Sequence, residues 1–145
     1  MAANATIEKL YGAENLDISY EPSTGILFCD WKGFQSSTVI QKCGAVILDF
    51  TRQKNVTKVL NDNTYVEGSW WEAAEWAAEK WFPEMIDSGL KHFAWILSRN
   101  VFAELSAKKA MKPHTGIVKW FRSKEEAKQW LQNQEVLKKC SASKS

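Results

Sequence analysis

Phe93-Ala94-Trp95-Ile96-Leu97 is apolar at every position, as expected of a strand covered on both faces. Upstream, a tryptophan-rich segment from about Trp70 towards Pro83 has helical spacing, and before it Lys58-Val59-Leu60-Asn61-Asp62 reads as a short strand. A strand, a helix and a covered strand in that order imply a parallel pair joined by a right-handed crossover. Further upstream, Val39, Cys43, Val46, Ile47 and Phe50 fall at i, i+4, i+7, i+8 and i+11, one helical stripe that Ser36 or Ser37 can cap. The chain starts with an alternating strand, Leu16–Tyr20, then the turn Glu21-Pro22-Ser23-Thr24-Gly25, then the strand Ile26–Trp31. So short a link makes an antiparallel hairpin.

Downstream of Leu97 the alternation continues. Asn100 caps a short helix over about Val101–Lys109, and Gly116–Phe121 is the last strand. Ser123-Lys124-Glu125-Glu126 then forms a capping box, with Ala127, Trp130 and Leu131 on the inner face of the final helix. The fold class is therefore α/β: a single mixed, largely parallel five-stranded sheet with an N-terminal antiparallel hairpin and about four helices. Residues 1–13 read as an N-terminal extension, 14–137 as the domain and 138–145 as a flexible tail.

The 145 residues suit one domain, and 45% hydrophobic with 25% charged residues is an ordinary globular balance. A net charge of +2 without a Lys/Arg stripe gives no reason to expect nucleic acid. No apolar run is long enough for stable membrane insertion. Residues 1–14 have neither a basic n-region nor an apolar h-region, so no secretory signal is read and a cytoplasmic location is expected. The three cysteines, Cys29, Cys43 and Cys140, form no Cys-x-x-Cys pair, and Cys43 reads as a small buried hydrophobe.

The order of elements, with Cys29-Asp30-Trp31-Lys32-Gly33-Phe34, Val59-Leu60-Asn61-Asp62-Asn63, Glu72-Ala73-Ala74-Glu75-Trp76 and Trp81-Phe82-Pro83, resembles the SpoIIAA-like family. These are bacterial domains related in fold to the STAS domains of anti-sigma-factor antagonists, and they are also similar to CRAL-TRIO lipid-binding proteins. The resemblance covers about residues 14–132. It implies a loop after the third strand in which STAS antagonists carry a phosphorylated serine; here Asn63 stands at that place, and Thr64 and Ser69 are the nearby hydroxyls. The lipid-binding relatives imply an apolar cavity between helices and sheet.

Eight tryptophans are the compositional anomaly, and most must be core because each carries a large apolar area. On a wheel of about 100° per residue, Trp70, Trp71, Trp81 and Phe82 share an arc with Ala74, Ala77 and Ala78. Trp76 falls among Glu72, Glu75, Glu79 and Lys80 on the opposite arc. There it either packs under a neighbouring segment, contacts a partner or second copy, or walls a ligand pocket. Pro83 lacks an N–H, so the helix must kink, end or begin a new turn there.

Asn61-Asp62-Asn63 lies at the carboxyl end of a predicted parallel strand, where open α/β sheets bind ligands. The same side chains can instead shape a turn. Asn61, Asp62, Asn63, Thr64 and Trp76 make the candidate contact surface for a protein partner or self-association. Trp70, Trp71, Trp81, Phe82 and Met85 make the alternative, a pocket for a small apolar ligand or lipid. No cofactor is implied: His92 and His114 belong to no spaced metal-ligand set, and no nucleophile or phosphate-loop motif occurs. A non-catalytic interaction domain is the favoured expectation. An enzyme would need Asp62 to converge with His92 or His114.

Overall fold

The computed structural model describes residues 6–143, with side chains through Gln134. One sheet of six strands runs in chain order: β1 (Glu8–Gly12), β2 (Leu16–Glu21), β3 (Ile26–Phe34), β4 (Lys58–Glu67), β5 (His92–Ile96) and β6 (Val118–Phe121). β1, β2 and β3 pair antiparallel, and β3 through β6 pair parallel. The mixed sheet with its antiparallel hairpin is as expected. It has six strands rather than five, because Glu8–Gly12, read as part of an extension, adds an edge strand. Residues 1–5 and 144–145, from the expected extension and tail, lie outside the described residues.

The three crossovers from β3 to β6 step the same way across the sheet, so connections of one hand put their helices on one face. That face carries α1 (Ser37–Gln53), α2 (Trp71–Trp76), a π-helical turn (Ala77–Trp81), α3 (Phe82–Asp87) and α4 (Val101–Met111). α5 (Lys124–Ser143) alone covers the other face, burying Ala127 and Leu131 against Ile26, Leu60, Ala94 and Ile96. The sheet is covered on both sides, which is why β5 has no polar face: Phe93 and Trp95 pack toward α1–α4, Ala94 and Ile96 toward α5.

The caps fall where the sequence places them. Ser36 accepts from the Val39 amide, Asn100 from those of Phe102 and Ala103, and Ser123 from that of Glu126. The buried stripe of α1 differs: Ile40, Cys43, Gly44, Ile47, Leu48 and Thr51 face inward, while Val39, Val46 and Phe50 lie at its margin. Gly44 is the cause. It carries no hydrophobic signal, yet two indoles pack directly on its Cα.

Residues 71–87 form a continuous helical rod, unbroken at Pro83. Pro83 cannot donate and its ring opposes the carbonyl four residues back; widening the preceding turn to i→i+5 accommodates both. The wider turn also keeps Ala73, Ala77, Trp81 and Met85, all buried and spaced by four, on the sheet side; a uniform α-helix would rotate them by about 40° per step. In the N-terminal half, Ala73, Ala74 and Ala77 define the buried side, with Trp71 and Trp76 about 110° to either side of it. Trp71 is therefore exposed, not packed on the sheet as the uniform wheel has it, and Trp76 is half-buried.

Asp30 and Asp62 are Cα partners on the face turned toward α5. Burial, then the Asp62 charge, raises the Asp30 carboxyl above the usual carboxylate range, against Lys124 and Lys32. A carboxyl with a raised folded-state pKa is a net cost once ionised, so stability falls as pH rises from 3.8, its ordinary value, through the raised one. Asp30→Asn is expected to raise the thermal midpoint at pH 7, the gain shrinking to nothing as pH falls towards 3.8; a gain independent of pH would show another origin. A Cβ at Gly44 would meet Trp76 Cη2 at 2.9 Å and Trp81 Nε1 at 3.0 Å. Overpacking at about 1–3 kcal/mol outweighs the roughly 1 kcal/mol that Gly→Ala gains in a helix. Gly44→Ala is thus expected to lower the denaturation midpoint, and a rise would mean the rings move aside freely.

Candidate functional site

Alternation along parallel strands sends Trp31 of β3, Asn61 and Asn63 of β4, and Trp95 of β5 to the face that α1 and the tryptophan helix cover. An indole N–H can only donate, so the 2.8 Å bond from Trp31 Nε1 to Asn61 Oδ1 fixes that amide's orientation. Asn61 Nδ2 then donates to Asn63 Oδ1 at 3.2 Å. The result is a polarised indole–amide–amide chain in a buried layer.

Above this layer the helices add three more indoles. Trp70 stacks on Trp95, with ring centroids 5.9 Å apart and planes 15° from parallel. Trp81 Nε1 donates to the Gly44 carbonyl at 2.8 Å, tying the π-helical turn to α1. Trp76 leans over Gly44 at the rim. Five indoles thus surround a cavity of about 40 Å³, completed by Gln35, Ile40, Val66 and Ala77 among others. This exceeds the roughly 10–15 Å³ that admits one water.

Two lining residues each carry a fully buried polar atom with no hydrogen-bond partner among the described residues: Gln35 Oε1 and Trp95 Nε1. Gln35 follows β3 and uses its Nε2 on the carbonyls of Lys32 (2.8 Å) and Gly33 (3.4 Å), which leaves the oxygen unengaged. Gln35 is 8% exposed and Trp95 3%. Leaving such groups unpaired costs about 1–3 kcal/mol each. None of the described lining side chains is ionisable.

The structure brings Asn61, Asn63 and Trp76 together with Trp70 and Trp81, merging two separate expectations into one site. Asp62 and Thr64 are elsewhere. Asp62 faces the α5 side and accepts from the Thr64 amide (2.9 Å) and hydroxyl (2.5 Å). Phe82 and Met85 are fully buried core that does not line the cavity. Trp71 lies outside it, with Lys109 Nζ 4.2 Å from its ring centre. The stretch 61–69 is no loop through most of its length: β4 runs to Glu67, because Tyr65, Val66 and Glu67 pair with Lys32, Gly33 and Phe34 of an equally extended β3. Ser69 caps the Trp71 amide and lies 3.4 Å from Ser106 Oγ, away from Thr64.

Sequence reasoning missed Trp31, Trp95, Gln35 and Gly44. Strand parity carries a signal for the first two, since Asn61 and Trp95 are register partners; Gln35 has none. Asp62 converges with neither histidine. Asp62 is opposite Ile96 while His92 is opposite Lys58, four residues or about 13 Å along the strand. His114 Nε2 donates to the Ala78 carbonyl at 2.6 Å. Burial pushes both the Cys29 and Cys43 thiols up, so they stay protonated. Among the described residues, no group of three or more His, Cys, Asp or Glu side chains gathers as a metal site, and no helix is long and apolar enough to cross a membrane.

No family model and no curated protein matches the chain. Among solved structures it is similar to an uncharacterised protein of the DUF3478 family from Shewanella loihica PV-4, which has a SpoIIAA-like fold. The two share 18% identity over 87% of this chain and 92% of that one, with a TM-score of 0.51. With its hairpin-led mixed sheet and helices on both faces, the chain therefore has a SpoIIAA-like fold.

Proposed function

We propose that this chain is a non-catalytic, cytoplasmic binding domain whose ligand is a small molecule held in the tryptophan-walled cavity. The observation that carries the reading is the convergence of five indoles, from two strands and from a helical rod with its N-cap, on a single space at the carboxyl end of the parallel strands. Ligand sites combine apolar and aromatic walls with a few placed polar groups, and they favour that end of a sheet. The cavity is far below the roughly 300–1,000 Å³ of drug-sized sites, so it suits a small ligand or the head of a larger one rather than a buried acyl chain. The absence of ionisable lining side chains favours binding over acid–base chemistry.

Native mass spectrometry of the purified protein is expected to detect a retained small molecule, lost in Trp76→Ala, which opens the rim. Half-burial of Trp76 puts the cost of that change at roughly 1.5–2.5 kcal/mol, about half the value for a fully buried ring, or a fall of roughly 5 °C in Tm. A ligand-free mass, together with unchanged tryptophan emission across a panel of small fragments, would sink the reading.

A second reading, regulation through protein contacts, is supported by a different surface. Val101, Phe102 and Leu105 on α4 are 61%, 64% and 50% exposed, and Trp71 lies beside Lys109 one turn beyond Leu105. Exposed apolar groups on one helix face favour association. Sedimentation is expected to show concentration-dependent self-association that Phe102→Ser abolishes without lowering Tm; equal sedimentation of the two proteins would remove this reading.

A further inference from the structure

The helical layer turns opposite charges outward in two separate rows. The rod and α4 lie side by side and run the same way. The Trp70 amide donates to Ser106 Oγ at 3.0 Å, Lys109 Nζ is 4.2 Å from the Trp71 ring centre, and further along His114 Nε2 meets the Ala78 carbonyl at 2.6 Å. Opposite its buried Ala73, Ala74 and Ala77, the rod shows exposed Glu72, Glu75 and Glu79. Opposite its buried Ala103, Ala107 and Ala110, α4 shows exposed Val101, Leu105 and Lys112, with Lys108 and Lys109 beside them. Trp71 lies exposed in the seam between the two helices, and exposed Phe102, two turns before Lys109, continues that seam. Between the Trp71–Lys109 and Ala78–His114 contacts lie Glu72 and Glu75 on one helix and Lys112 on the other. The two rows therefore stand at the same height.

An anionic surface, whether lipid headgroups or an acidic protein, would reach the lysine row only by pressing on the glutamate row, and like charges in a contact are costly. A second copy avoids this. Rotation about a two-fold axis along the seam leaves heights unchanged, so each glutamate row comes to face the other copy's lysine row. Trp71 and Phe102, at the seam, meet their own counterparts on the axis. A two-fold contact needs a self-complementary patch of this kind. We infer that this face is a two-fold dimer interface, in which Glu72 and Glu75 of each copy pair with Lys109 and Lys112 of the other around an apolar seam of Trp71 and Phe102. The inference rests on the association reading above and adds to it the arrangement of the two copies.

Paired charge reversals in the full chain test the arrangement, with association read by sedimentation velocity over a concentration series. One variant carries Glu72→Lys and Glu75→Lys, the other Lys109→Glu and Lys112→Glu. Each alone sets like charges against each other on both sides of the axis, and is expected to weaken association about tenfold, the worth of a few exposed ion pairs. An equimolar mixture of the two restores both contacts and is expected to associate as the unaltered chain does. The unaltered chain should itself associate about tenfold more weakly as NaCl rises from about 0.05 to 0.5 M, because exposed charges are screened. That salt series decides alone should either variant fail to fold. Association that neither the reversals nor salt disturb, or a mixture as weak as its components, overturns the arrangement and leaves self-association standing. An unaltered chain that stays monomeric throughout overturns both, and binding of that monomer to phosphatidylglycerol vesicles would assign the face to a lipid surface instead.

Discussion

The hydrogen bond from the Trp81 indole to the Gly44 carbonyl joins two elements that the sheet alone would not align. Gly44 offers its carbonyl only because the absence of a side chain lets the indole lie against the α1 backbone. Trp81 reaches that carbonyl only because the turn before Pro83 is widened. Trp81 is also 5.0 Å from Phe82 and 5.9 Å from Phe93, centre to centre and nearly perpendicular to each. The same contact therefore anchors the rod to α1 and locks it into the aromatic core. The cavity is the space left between these fixed parts, and Trp70 and Trp76 take their positions from the rod's phase.

β4 puts opposite chemistries on adjacent residues. Asn61 and Asn63 enter a layer of indoles, where neutral amides can be fully paired without desolvating charge. Asp62 goes to the other face, where it meets Asp30 and lies near the start of α5. A one-residue slip of register would bury the carboxylate among tryptophans and send the amides out. The contrast between the two faces thus helps specify the pairing of β3, β4 and β5.

Much of this architecture was legible. Phe93–Leu97 revealed a doubly covered strand, Asn100 and Ser123 marked helix starts, and Asn61 and Asn63 pointed to the right strand. What escaped the sequence depended on tertiary contact or on departures from ideal periodicity. A wheel at fixed pitch cannot register a π-helical turn, so Trp71 was placed inside and Trp76 outside. Glu8–Gly12 lacks a clean alternation because it is an edge strand with an irregular register between Lys9 and Tyr11. Gly44 has no side chain to read. Gln35 looks like any linker residue until its amide is seen bonding two carbonyls beside the cavity.

The stacking of Trp70 on Trp95 has an optical consequence. Two indoles 5.9 Å apart and nearly parallel have electronic transitions that couple, which adds a paired band to the circular dichroism. Because one ring belongs to the N-cap of the helical rod and the other to β5, that coupling exists only while rod and sheet are docked. The wall of the cavity is thus a built-in chromophore, whose circular dichroism reports directly on whether the cavity is assembled.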